Sequence, residues 1–200
     1  MAQPVKLNLT IIQGSTFRQI LRWESSTKVY VPITNITKSA PIVITAPSHG
    51  IPEGWRVKVT NVLGMKEINS NDIYHIATNT AQDSFEINNI NSLNYTTYTS
   101  GGVVEYNQPV SINNFTARMQ IRPKLKSDEI IHTCTTENGE ILLNSTDNTI
   151  TIYIPDEVTE TFTFNSAVYS LELCSPVVDG ESDTTQFVSG IIVLEKEVTR

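Results

Sequence analysis

The sequence predicts an all-β protein: a split β-sandwich-like host carrying an inserted small β-barrel-like module, with at most one short helix near 155–162. Three observations lead there. Apolar and polar residues alternate with a period of two through much of the 200-residue chain. Turn formers, chiefly Gly, Pro, Asn and Asp, punctuate it at short intervals. Charged residues make up only 18% of the chain while Asn, Thr and Ser fill the polar positions, which suits exposed strand faces better than solvated helices. Turn chemistry is densest between 41 and 106, and that run splits the remainder into two unfinished pieces. The expected boundaries are 1–37 with 108–200 for the host and 38–107 for the module.

The elements follow in order. Lys6 to Glu24 reads as two strands around a turn at Gln13-Gly14-Ser15, because Leu7, Leu9 and Ile11 share one face. Val29 to Val31 is a short strand that Pro32 stops. In the module, Ile42 to Ile44 is a strand, and Pro47 to Gly50 is a turn whose glycine can take positive φ. Gly54 to Thr60 alternates, with Trp55, Val57 and Val59 facing in. Asn61 to Met65 turns at Gly64. Strands at Ile73 to Thr78, Ser84 to Ile87 and Val103 to Tyr106 complete a barrel- or sandwich-like unit around the polar run 88–99.

The host then resumes with a strand from Phe115 to Arg122, ended by Pro123, and another at Ile130 to Thr135. Asn138-Gly139 is the strongest two-residue hairpin signal in the chain. Ile141 to Leu143 and Thr149 to Ile154 flank a turn at Asp147-Asn148. Pro155-Asp156-Glu157 offers a helix start, since Pro fits the first turn and the acids suit the N-terminal dipole. Ala167 to Cys174 and Phe187 to Leu194 are the closing strands, joined by a turn at Val178 to Ser182.

Composition narrows the function. A net charge of −7 argues against long-range attraction to nucleic acid. Arg118, Arg122, Lys124 and Lys126 form the nearest thing to a basic cluster, and alternation is expected to divide it between strand faces and the following loop. Two cysteines, Cys134 and Cys174, read as small core fillers rather than a disulfide framework, although a bridge between them stays open. No apolar run approaches the ~20 residues that span a bilayer, so no membrane insertion is expected.

No reactive constellation stands out. His49, His75 and His132 show no HxH, HxxxH or CxxC spacing, so no metal and no cofactor are expected. Within the module His49 reads as a turn residue whose ring bonds a backbone carbonyl. Asp128-Glu129 and Asp156-Glu157 read as loop and helix-start acids. GxSxG, Walker and DxDxDG patterns are absent from the sequence, and an enzyme is the least favoured class. Trp55, Tyr95, Tyr98 and Tyr106 can be drawn either as core or as a sugar-stacking face. With Asn91 and Asn94, the residues Trp55, Tyr95 and Tyr98 are the candidate partner surface.

The module's fixed residues carry a resemblance. Ile44-Thr45, His49-Gly50, Gly54, Val57, Val59, Val62, Gly64-Met65, Asn69, Ser84-Phe85-Glu86-Ile87 and Tyr98 through Gly101-Gly102 stand in order. In that order they resemble a small β module that recurs in bacteriophage tail proteins and is related to the first catalytic-cysteine half-domain of ubiquitin-activating enzymes. The segment contains no cysteine, so the resemblance implies a scaffold and not ubiquitin chemistry. The flanks are similar to the N-terminal domain of phage upper-baseplate and tail-fibre adaptor proteins. That similarity rests on Gln13 to Phe17, Ala117 to Arg122, Asn138 to Ile141, Pro155 to Phe162, Tyr169 to Leu173 and the closing Gly190 to Arg200.

The resemblances imply a virion structural protein of a phage tail, a baseplate or tail-fibre adaptor assembled in the host cytoplasm. Its expected partners are other tail, baseplate or fibre proteins and further copies of itself in a ring or homo-oligomer. A receptor- or glycan-binding tail module and a capsid decoration protein are the alternatives.

Overall fold

A computed structural model describes residues 5–70 and 72–197. The opening stretch supplies β1 (Val5–Lys6), β2 (Leu9–Ile12) and β3 (Phe17–Arg22). The excursion follows with β4 (Glu24–Pro32), β5 (Asn35–Thr37), β6 (Ile42–Thr45), β7 (Arg56–Leu63), a 3-10 turn at Lys66–Ile68, β8 (His75–Ile76), β9 (Ser84–Ile87) and β10 (Ser100–Pro109). The chain returns through β11 (Thr116–Arg122), β12 (His132–Thr135), β13 (Ile141–Asn144), β14 (Thr149–Ile154), the five-residue helix α1 (Asp156–Glu160), β15 (Ser166–Cys174) and β16 (Thr184–Glu195). The protein is all-β, with its one helix where the Pro-Asp-Glu start signal lies.

The chain divides into two compact units, residues 1–22 with 111–200 and residues 23–110. The second unit therefore begins earlier than the expected residue 38. The reason is pairing: β4 lies antiparallel to β10, with Tyr30 opposite Glu105, and β5 pairs β6. Both early strands complete module sheets.

The host unit holds a six-stranded and a three-stranded sheet. The larger runs β1-β16-β15-β11-β12, with β2 also on β16. β1 and β2 both join β16 in parallel, so the segment expected to form two strands around the Gln13-Gly14-Ser15 turn instead reaches across 183 positions of sequence. β3 leaves for the other sheet and pairs β14. The inward positions Ala117, Met119, Ile121, Leu171, Leu173, Ile192 and Leu194 are buried in one sheet, and Ile141, Ile150, Ile152 and Ile154 in the other. That strict alternation is what one buried sheet face requires. The Asn138-Gly139 turn is not a hairpin. Its flanking strands belong to different sheets, because β12 pairs only β11 and β13 pairs β14. The turn is a corner between the sheets, held by the Asn138 side chain: its Oδ1 accepts from the Thr135 and Glu140 amides, and its Nδ2 donates to the Thr133 carbonyl at 2.9 Å.

The module unit has a four-stranded sheet, β4-β10-β7-β8, and a three-stranded sheet, β5-β6-β9. The expected barrel-like closure does not occur: the sheets stay open and share one core. Trp55, Val57, Val59, Met65, Phe85, Ile42, Ile44 and Ile87 form it with no solvent exposure. The ends of the unit meet, since Pro109 is opposite Glu24 and the Val110 amide donates to the Trp23 carbonyl at 2.9 Å. Adjacent ends are what allow a domain to be set into one loop of another.

Candidate functional site

The module's motif residues act on its own structure. His49 is buried; its Nδ1 accepts from the Ile51 amide at 2.9 Å, its Nε2 lies 3.2 Å from the Ser84 carbonyl, and its ring meets Phe85 edge-on. Its own carbonyl takes the Tyr106 hydroxyl at 2.5 Å. Asn69 mimics a strand neighbour: Oδ1 accepts the Val62 amide at 2.8 Å and Nδ2 donates to the Val62 carbonyl at 3.0 Å. Gly50, Gly54, Gly64, Gly101 and Gly102 all have positive φ, and a side chain at Gly64 would collide with the Thr97 carbonyl. Met65 and Phe85 are core.

The expected partner surface is only partly a surface. Trp55 is fully buried, and its indole Nε1 donates to the Asn107 carbonyl at 2.8 Å. It therefore leaves the sugar-stacking face drawn from the sequence, as does buried Tyr106, because strand alternation turns Trp55 inward with Val57 and Val59. Tyr95 and Tyr98 are half-buried against the same core, with the Tyr98 hydroxyl on the Gly101 carbonyl at 2.9 Å. Asn91 and Asn94 remain exposed. The polar run around them is pinned from beneath by Ser92, which no local pattern in the sequence distinguishes from its neighbours. Its buried hydroxyl shares one proton between the Thr37 and Ser39 carbonyls, at 3.1 and 2.9 Å, and accepts the Ser39 amide at 2.9 Å. Glu67 pins the same run from outside by accepting the Thr96 amide and hydroxyl, which holds its carboxyl below the usual range.

The host carries a concave feature. A groove of about 610 Å³ lies on the outer face of the six-stranded sheet. Lys6 comes from β1, Arg118 and Arg122 from β11, and Leu125 from the loop after it, with Val168 and Ile191 as an apolar floor. The expected basic cluster divides between strand and loop: Lys124 and Lys126 follow β11, while Arg118 and Arg122 stay on it. Four positions apart on one strand they share a face, and β16 brings Lys6 to the same side. Three cations thus line the groove against one acid, Glu172, which pairs Arg118 at 3.1 Å. Arg122 is held by the Ser127 carbonyl and Gln120, and Lys6 by the Ser189 hydroxyl at 3.0 Å. Leu125 is 86% exposed. Beneath the floor, burial pushes the Tyr169 phenol up to about 12, and its hydroxyl donates to the Leu7 carbonyl at 2.8 Å.

A second cluster sits at the Asn138-Gly139 corner. His132 Nε2 and Glu140 Oε2 are 2.7 Å apart, and the Cys134 sulfur is beside them. Burial and the neighbouring carboxylate push the Cys134 thiol well up. No metal was expected from the spacing of these residues. The fold nonetheless gathers an imidazole, a thiol and a carboxylate whose ligand atoms all lie within 4.8 Å of one another. Cys174 lies elsewhere, beside the Thr184 hydroxyl, and both cysteines are free thiols.

Architecture and site define an all-β protein whose inserted unit turns its motif residues to its own turns and core and whose host offers a cationic groove. Comparison with known families adds the module's kinship: residues 40–107 match the ubiquitin-activating enzyme E1 FCCH domain, about a third of the chain. The FCCH domain is non-catalytic, in keeping with a module whose motif residues serve turns and core. No curated protein matches the chain.

Proposed function

We propose that this protein is a structural component of a bacteriophage tail, a baseplate or tail-fibre adaptor that works by protein–protein docking. The observation that carries the reading is the architecture: a non-catalytic FCCH-family module whose two ends meet at one loop of an all-β host. The resemblance of both parts to tail proteins points the same way. In this account the host attaches and the module serves as a spacer or contact arm.

The groove is the attachment surface. Its occupant is an extended segment of a neighbouring tail subunit that carries acidic side chains with one or two apolar ones. Lys6, Arg118 and Arg122 complement the acids, while Leu125, Val168 and Ile191 receive the apolar groups. The chain's net charge of −7 makes this local excess of cations the exception on its surface. The glycan-binding alternative loses its main support with Trp55 and Tyr106 inside the core. Mass spectrometry of phage particles separated into tails and heads tests the reading. Peptides of this chain in fixed ratio to tail proteins are expected; their absence from tails, or their presence on heads alone, would sink it.

A further inference from the structure

We propose that His132, Cys134 and Glu140 form a metal site in the host unit that takes a divalent cation of the zinc class. His132 and Cys134 are two apart on β12, so their side chains leave the strand on one side. The corner at 135–139 then turns back, and Glu140 faces them. The Asn138 side chain fixes that corner through three backbone hydrogen bonds.

The distances suit a small cation. Four-coordinate zinc holds nitrogen and oxygen at about 2.0–2.2 Å and sulfur at about 2.3 Å, which places ligand atoms roughly 3.5 Å apart. Here the widest separation is no more than 4.8 Å and the His132–Glu140 separation is 2.7 Å. A shift of about an ångström at the Glu140 carboxylate would open the His132–Glu140 separation to the spacing an ion needs.

The chemistry suits it as well. A thiolate selects soft and borderline cations over magnesium and calcium, and imidazole and carboxylate complete a borderline set. One thiolate and one carboxylate neutralise a doubly charged ion, which matters where the His132 and Glu140 side chains are only 18% and 13% exposed. On binding, the Cys134 thiol proton leaves to solvent and His132 takes the neutral tautomer with its proton on Nδ1, which presents the Nε2 lone pair to the ion. Two ligands already have supporting contacts. Asn138 Nδ2 donates to Glu140 Oε2 at 3.2 Å, and the Phe162 ring packs against the His132 imidazole with centroids 5.8 Å apart. Such contacts orient metal ligands. The fourth position is left to water or to a ligand from a partner.

The role follows from the place. His132 and Cys134 belong to the six-stranded sheet, and Glu140 directly precedes β13 of the three-stranded one. Among the described residues no backbone ladder joins the sheets at this corner, so a bound ion would reinforce the side-chain hydrogen bonds that hold it.

The test uses the full-length chain, stripped with a chelator and titrated with cobalt(II), then with zinc. One equivalent of cobalt should give a tetrahedral visible spectrum with a thiolate-to-cobalt charge-transfer band, which zinc abolishes. Cys134→Ser should erase the band, whereas Cys174→Ser should leave it intact. Glu140→Gln, which keeps the side-chain volume, and Asn138→Ala, which removes the contact to Glu140 together with the three backbone hydrogen bonds that fix the corner, should each weaken binding by roughly 10- to 100-fold. Circular dichroism confirms that each variant is folded. A folded wild-type chain without the charge-transfer band, or a band that survives Cys134→Ser, would overturn the proposal.

Discussion

The module and the host use similar alphabets to different ends. In the module nearly every distinctive residue is turned to self-consistency: Trp55, Met65 and Phe85 have no exposure, and His49, Asn69, Ser92 and Tyr106 spend their polar atoms on the module's own backbone. The host gathers distinctive groups at a groove and at a corner. Its outer sheet face presents three cations and the exposed Leu125, and its corner gathers a histidine, a cysteine and a glutamate. A domain that is closed on itself suits a spacer; one with open chemistry suits an attachment point.

The largest expected effect breaks the module alone. Trp55→Ala removes a fully buried indole and orphans the Asn107 carbonyl, which should cost about 3–5 kcal/mol. Peptide-resolved hydrogen exchange should show lost protection within 23–110 and retained protection in β11, β15 and β16. Equal loss in both units would break the comparison. One substitution made in both regions sharpens it. Gly64→Ala must take φ +83° against the Thr97 carbonyl and should cost about 2–4 kcal/mol, whereas Gly139→Ala, at φ +77° with open space around it, should cost about 1 kcal/mol. Urea denaturation of the pair measures the gap.

Smaller stability effects are expected at the groove. Arg118→Glu with Arg122→Glu should change stability by less than about 1 kcal/mol, since the Arg118–Glu172 pair is solvent-exposed. The same pair of changes should abolish incorporation into tails, read by quantitative mass spectrometry of assembled particles. The smallest effect is a pH slope. Burial holds His75 below its ordinary value of 6.5, so the unfolded chain binds the proton more readily. This part of the module's stability is complete above about pH 6.5 and is lost as pH falls below it. His75→Gln should flatten thermal stability between pH 7 and pH 5, as followed by melting curves.

What the sequence revealed was local. Alternation placed Trp55, Val57 and Val59 inward, and the Pro-Asp-Glu start signal located α1 at Asp156–Glu160. Pairing was hidden, because it depends on partners far away in the chain. Asn138-Gly139 carries the residues of a hairpin turn, yet whether the flanking strands pair is decided by β11 and β14. β4 is mostly exposed and polar, so nothing in it announced that it belongs to the module's sheet with β10. The groove was invisible for the same reason. Lys6 and Arg118 are over a hundred positions apart and meet only through the order β1-β16-β15-β11. The corner cluster had a readable half, His-x-Cys on a strand, but its third member arrives through a turn with no standard metal spacing.

Excision of the module tests the division of labour most directly. Arg22 would be joined to Ser111 by a short Gly-Ser linker, and the shortened protein followed for cooperative unfolding and for incorporation into tails. The expected result is a folded host that enters tails in the same ratio as the full chain and loses entry again with Arg118→Glu and Arg122→Glu. A host that folds yet stays out of tails would contradict it, by placing attachment in the module instead.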